Sequence, residues 1–205
     1  MKRIILTVLA AVIAISASAG DFGVTAGFTN SKASLKDFDP SNVNLYHVGV
    51  TYRQSLLGVL ALQPELLYNV KGTTLDHGLN DASVDVKMGY LEAGLQLQAG
   101  VDIILARLYA LVEPYAGYCV NSKYYNKQET STDADLLNKL EYGLAIGGGV
   151  ELVHRIQVSA KYFRNFGNLG DASAAQIKDS VSDFVHNALD KSNYGGVQVS
   201  FTFLF

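Results

Sequence analysis

The chain has 205 residues, with 16 basic against 19 acidic side chains and a formal net charge of −3. That length suits one domain, and the acidic balance excludes the basic face a nucleic-acid partner requires. A single cysteine, Cys119, excludes an internal disulfide framework and a cysteine-built zinc site.

The N-terminus is the first predicted element. Lys2 and Arg3 precede an apolar run from Ile4 to Ile15 in which Thr7 is the only polar residue, and Ala17-Ser18-Ala19 follows as a small-x-small cleavage pattern. This predicts a secretory signal peptide over 1–19 and a mature domain over 20–205. The run is too short for a membrane-spanning helix, which needs about 20 apolar residues.

Beyond it the pattern changes to a period of two, the signature of strands whose alternate side chains face opposite sides. Phe22, Val24, Ala26 and Phe28 alternate with Gly23, Thr25, Gly27 and Thr29. Tyr46, Val48, Val50 and Tyr52 alternate with His47, Gly49, Thr51 and Arg53. A third strand runs from Leu60 to Lys71, with Gln63, Glu65, Asn69 and Lys71 on its polar face. In the fourth, Val84, Val86 and Met88 alternate with Ser83, Asp85 and Lys87, and the phase slips near Gly89, which predicts a bulge there. The fifth places Leu108 to Tyr118 on one face and Tyr109 to Gly117, with Glu113, on the other. The sixth spans 140–152, the seventh 156–163, and the eighth is VQVSFTFLF at 197–205. Gly is common at 19 residues, Tyr at 12 and Pro rare at 3, as strands in close backbone contact require.

The connections alternate strictly in length. Those at 30–44, 72–82, 120–138 and 167–192 are long, and those at 55–58, 100–102 and 153–155 are short. Eight strands with short turns at one end and long loops at the other predict an all-β, antiparallel up-and-down transmembrane barrel. The apolar faces then meet lipid. Tyr46, Tyr68, Tyr118, Tyr142 and Tyr162 fall near the outer rim and Phe22, Phe203 and Phe205 near the inner rim, which predicts two aromatic girdles.

The polar faces line the interior. Arg53, Glu65, Lys71, Asp85, Lys87, Glu113, Glu141, Glu151 and Lys161 are the predicted interior charges. A barrel of this size is filled by side chains, and buried charges need partners. A plugged lumen follows, with Glu65, Glu113 and Glu141 meeting Arg53, Lys87 and Lys161 in pairs left unassigned. Gly143, Gly147 and Gly149 on the same face leave room for bulky neighbours.

Signals for catalysis are sparse, and the chain reads as a non-enzyme with no cofactor or metal site. Asp76–His77 and Asp183–His186 are the only candidate pairs, both in predicted long loops. The loop at 121–138 carries Tyr124 and Tyr125 as candidate contact residues. Ile177, Val181, Phe184, Val185 and Leu189 recur at helical spacing, which predicts a short amphipathic helix in the last extracellular loop, within residues 172–189.

LQPELLYNVKG (62–72), GYLEAGLQLQ (89–98), VEPYAGY (112–118), YGLAIGGGVEL (142–152) and YFRNFGNLGD (162–171) together resemble the porin-family, or PorT-like, outer-membrane β-barrel proteins common in Bacteroidetes. The fold is also similar to the OmpA- and OmpX-type eight-stranded barrels. Many relatives read Leu-Glu-Ile-Pro where this chain has Leu91-Glu92-Ala93-Gly94. The resemblance implies a Gram-negative outer-membrane location, with membrane lipid and the outer-membrane assembly machinery as partners. It makes the terminal Phe205 an assembly signal and names no substrate. The expected role is structural or surface-binding, with the long loops meeting an unidentified extracellular ligand or protein. The alternatives are a narrow channel for ions or small solutes, a secretion-system assembly factor and an outer-membrane enzyme. A lipocalin-type soluble barrel requires the opposite polarity of faces.

Overall fold

The computed structural model describes residues 20–34, 43–56, 58–77, 82–126, 129–133, 140–166 and 193–205. The predicted signal peptide and the predicted helix in the last loop lie outside them. Among the described residues the strands are β1 (Asp21–Ser34), β2 (Val43–Ser55), β3 (Leu60–His77), β4 (Ala82–Ile103), β5 (Ala106–Asn126), β6 (Glu129–Asp133), β7 (Leu140–Leu152), β8 (Ile156–Asn165) and β9 (Asn193–Leu204).

Eight of these close into an antiparallel barrel. The sheet order is β4-β3-β2-β1-β9-β8-β7-β5-β6, and β4 also pairs with β5, which completes the ring. β1 and β9 pair from Gly23↔Leu204 to Ser34↔Asn193. Closure leaves no open edge among the eight, the condition that lipid imposes on a spanning sheet. β6 stands apart from the ring and folds back on the far end of β5, with Tyr124 opposite Thr132.

The alternation in sequence fixes which side each residue takes. In β9, Val197, Val199, Phe201 and Phe203 are exposed, whereas Gln198, Ser200, Thr202 and Leu204 are buried. In β8, Val158 and Tyr162 face out, and Gln157, Ser159 and Lys161 face in. The molecule is thus inverted relative to a soluble domain, with a polar core and an apolar exterior.

The strands run further than the sequence pattern indicates. The segments 72–82 and 120–138 were expected as long loops, yet β3 and β4 stay paired to His77↔Ala82. β4 and β5 stay paired to Val84↔Asn126. Tyr124 and Tyr125 therefore belong to β5 and not to a loop, and His77 closes β3. At the opposite end, the turn expected at 100–102 lies at Ile104 and Leu105, because Asp102↔Arg107 and Ile103↔Ala106 still pair. Polar turn residues marked loops in the sequence, but cross-strand pairing carries these segments through as hairpins.

The expected slip in β4 takes a different form. Gly89 pairs with Asn121 and Tyr90 with Cys119, so the extra residue is Val120, on β5. β4 itself keeps its phase. Met88, Tyr90 and Glu92 are all buried in the interior, and Lys87 falls on the outer side, opposite Gly72. Lys87 is therefore not an interior charge. The interior near this end is aromatic enough to hold Met88, whose Sδ accepts from Tyr90 Oη at 3.4 Å.

Candidate functional site

The lumen is the most chemically dense part of the described chain, and its charges lie in three groups. The first is nearest the loop end. Lys71 Nζ lies 2.7 Å from Glu141 Oε1 and 3.0 Å from Glu92 Oε2. Its ammonium also lies 4.8 Å from the ring centres of Tyr115 and Phe163 and 5.5 Å from that of Tyr90. The cation is thus held by two carboxylates and three π faces, a setting that replaces its lost hydration. Asn165 Nδ2 donates to Glu141 Oε2 at 3.1 Å, and Asn69 Nδ2 donates to Glu92 Oε2.

The second group is central. Lys161 Nζ donates to Glu65 Oε1 at 2.7 Å and to Glu113 Oε2 at 2.6 Å. Gln96 Nε2 donates to the other Glu65 oxygen at 2.7 Å. β8, β3 and β5 supply the three charges, from parts of the chain far apart in sequence.

The third group lies at the turn end. Arg53 Nε is 3.1 Å and Arg107 Nη1 3.9 Å from Glu151 Oε2. Gln157 Nε2 donates to the same oxygen at 2.9 Å. Arg53 also reaches Asp21 at 3.5 Å. Arg107 Nη1 donates to Gln98 Oε1 at 3.0 Å, and Gln98 Nε2 donates to Gln63 and Gln96. Nε and Nη2 of Arg107 have no hydrogen-bond partner among the described residues.

A neutral chain of hydrogen bonds runs beside these groups. Thr29 Oγ1 donates to Asn69 Oδ1 at 2.8 Å and lies 3.0 Å from His47 Nδ1. Since the Thr29 proton goes to Asn69, His47 Nδ1 carries the hydrogen of that contact. His47 Nε2, 2.9 Å from Ser200 Oγ, then accepts. The two hydroxyls satisfy a buried imidazole, and among the described residues no carboxylate hydrogen-bonds to it.

Of the predicted interior charges, Arg53, Glu65, Lys71, Glu113, Glu141, Glu151 and Lys161 are buried in the lumen. Lys87 faces outward, and the side chain of Asp85 lies outside the described residues. Within the network whose pairs were left unassigned, Lys161 meets Glu65 and Glu113, Arg53 meets Glu151, and Glu141 meets Lys71. Glu92 and Arg107 are interior charges the sequence list lacks. Arg107 falls one residue before the predicted start of its strand, and extending the alternation from Tyr109 finds it. Gly143 and Gly149 do make room for bulky neighbours: the phenols of Tyr115 and Tyr109 occupy the space a β-carbon would need.

The predicted girdle residues lie on the outer surface. Tyr46, Tyr118, Tyr142 and Tyr162 are exposed toward the loop end, and Phe22, Phe203 and Phe205 toward the turn end. Tyr68 is half-buried because its phenol lies over Gly89. Phe22 packs on Tyr52 with ring centres 4.8 Å apart. Phe28, 72% exposed, adds an aromatic at the loop end of β1 that the girdle list omitted.

The sequence matches the family model of the outer membrane protein beta-barrel domain over residues 18–171. No curated protein matches it. Among solved structures it is similar to Ail, the attachment invasion locus protein of Yersinia pestis, at 12% identity and a TM-score of 0.47, covering 92% of this chain and 100% of that one. Neisserial surface protein A shows 12% identity and a TM-score of 0.47, with 90% and 97% covered. OprG of Pseudomonas aeruginosa shows 14% identity and a TM-score of 0.45, with 91% and 96% covered. The family match spans most of the chain, on a closed eight-stranded barrel that is apolar outside and polar inside: this chain belongs to the outer membrane protein β-barrel domain family and resides in the outer membrane.

Proposed function

We propose that the protein is a plugged, non-enzymatic outer-membrane barrel that presents a raised extracellular sheet for binding. A signal peptide over 1–19 delivers it, and Phe205 marks it for the assembly machinery. Within the family it groups with the Bacteroidetes-type, PorT-like barrels, on the five sequence stretches quoted above.

The observation that carries the reading is the lumen itself. Lys71, Lys161, Gln63, Gln98 and Arg107 are each no more than 2% exposed. Each lysine is clamped across the barrel between carboxylates from different strands. An ion on a path through the lumen would have to break those contacts, and uncovering a buried charge costs several kcal/mol, on the order of 3–5. The binding surface is supported by β3, β4 and β5, which continue beyond the Tyr68 and Tyr118 level to His77, Ala82 and Asn126 and carry β6 at their edge. The non-enzyme reading is supported by His47, whose only hydrogen-bond partners among the described residues are neutral hydroxyls in a closed interior.

Planar-bilayer recording of the folded full chain tests the plug. No stepwise conductance is expected, and steady single-channel events would replace this reading with the channel. For the surface role, residues 127–138 are replaced by a short Gly-Ser turn and the folded protein is applied to arrays of glycans and matrix proteins. A profile unchanged from that of the intact chain would count against the raised sheet as the contact surface.

A further inference from the structure

The outward faces of three neighbouring strands, β7, β8 and β9, carry one charge among them, Arg164. The other outward residues of β8 are Ile156, Val158, Ala160 and Tyr162, and the next outward residue beyond the strand is Phe166. Arg164 is thus exposed between two exposed aromatic rings. Phe166 N donates to Tyr142 O at 2.9 Å, which brings the Tyr142 position of β7 alongside. Aromatic girdles mark the depth at which acyl chains give way to headgroups. Arg164 stands within the girdle at the loop end, which faces the outer leaflet.

This arginine differs from the two in the lumen. Arg53 and Arg107 are buried and share Glu151. The Arg164 guanidinium makes no hydrogen bond, ion pair or ring contact with any described residue, and neither does the Tyr162 phenol. The outward faces of β7, β8 and β9 present no carboxylate, so the counter-charge for Arg164 comes from outside these strands.

Gly195 opens the surface beside it. Its Cα partners are Arg164 on β8 and Lys32 on β1, so two basic positions flank it. A β-carbon built on Gly195 would meet Tyr162 Oη at 3.2 Å and Phe163 O at 3.5 Å. At Gly27, Gly147 and Gly196 the same atom would run into backbone. Crowding therefore does not demand a glycine at 195. The missing side chain leaves a shallow notch, with Arg164 on one side and the Tyr162 phenol at its edge.

We propose that Arg164, Gly195 and Tyr162 form a seat for one phosphate group of an outer-leaflet glycolipid. A guanidinium presents paired N–H donors that match two phosphate oxygens. The phenol supplies a further donor, and the notch lets the phosphate reach the sheet surface. An arginine that only extends its head group into water is the alternative, and it has no use for the notch.

The folded full chain in detergent is titrated with diphosphorylated lipid A, with the same lipid stripped of its phosphates, and with inorganic phosphate as competitor. Bound lipid is counted by native mass spectrometry. The phosphorylated lipid is expected to bind about tenfold more tightly than the stripped one, the scale of one charge-assisted contact. Arg164→Gln is expected to abolish that preference. Gly195→Val is expected to abolish it as well, with the arginine still in place, because the added side chain fills the notch. Arg155→Gln, an exposed arginine at the turn end, is expected to keep it. Equal binding of the two lipids overturns the proposal. So does a preference that survives Arg164→Gln or Gly195→Val, or one that is lost with Arg155→Gln. Displacement of the lipid by an equal concentration of inorganic phosphate also overturns it, because the free ion is then the ligand. The heat-dependent gel shift checks each fold, and if one of the two site variants does not fold the other decides.

Discussion

Lys161 holds Glu65 and Glu113 together at 2.7 and 2.6 Å in the middle of the barrel, with all three side chains nearly inaccessible. Removing the cation leaves two carboxylates facing each other without a counter-charge. Lys161→Met is therefore expected to lose about 3–5 kcal/mol of unfolding free energy, measured by urea titration in phospholipid vesicles with the gel shift as readout. The triple variant Lys161→Met, Glu65→Gln, Glu113→Gln removes the charges as well as the bridge. It is expected to recover most of that loss, because neutral amides need only hydrogen bonds. A triple variant no better than the single one would mean that Lys161 acts through its packing. These pairings were only half legible in the sequence. Which face a residue takes follows from its parity, so Glu65, Glu113 and Lys161 are recognisable as interior from alternation alone. Which charges meet depends on strand register across the barrel, and local pattern does not carry that. Lys87 shows the limit of parity: beyond the lipid belt either face tolerates polar residues, so the apolar-out rule no longer discriminates.

At the scale of elements, the β4–β5 turn holds a strained residue. Ile104 has φ of 51° and is 95% exposed. A β-branched residue in the left-handed region crowds its own carbonyl, at a cost of about 1–2 kcal/mol. Nothing in the turn offsets that cost, because the side chain packs against little of the described chain. Ile104→Gly is therefore expected to raise the unfolding free energy by up to about 1 kcal/mol in detergent micelles, where an apolar tip gains little from its surroundings. In vesicles the gain is expected to shrink or reverse, since the tip then loses its contact with the membrane edge. An equal gain in both media would show that Ile104 contributes nothing to the lipid contact. The eight barrel strands were readable because each must keep one face apolar over its whole crossing. The ends of β3, β4 and β5 were not, since past the lipid they are held by hydrogen bonds to neighbouring strands, and these leave no period-two signature. The same holds for the Val120 bulge, which is defined by the pairing of β4 with β5 and not by either strand alone.

For the whole molecule, the lumen is close to electrically self-contained. Arg53, Lys71, Arg107 and Lys161 stand against Glu65, Glu92, Glu113, Glu141 and Glu151, all buried. The two groups nearer the loop end each set one lysine between two glutamates, and the group at the turn end sets two arginines around one glutamate. At the turn end Asp21, which also reaches Arg53, brings the group to balance. This balance bears on how the barrel responds to salt. In a lumen filled with electrolyte, mobile ions screen charges over a Debye length of about 8–10 Å at physiological strength. The pairs would then weaken as salt rises, and the barrel would lose stability with them. In a plugged lumen no ions enter, and contacts of 2.6 to 3.0 Å are indifferent to the bulk. Between 0.05 and 0.5 M NaCl, in zwitterionic vesicles, the unfolding free energy is expected to change by less than about 0.5 kcal/mol, the scale of the exposed pairs alone. A fall of several kcal/mol over that range would show that salt reaches Lys71 and Lys161, and the lumen would have to be treated as a wet path whether or not it conducts.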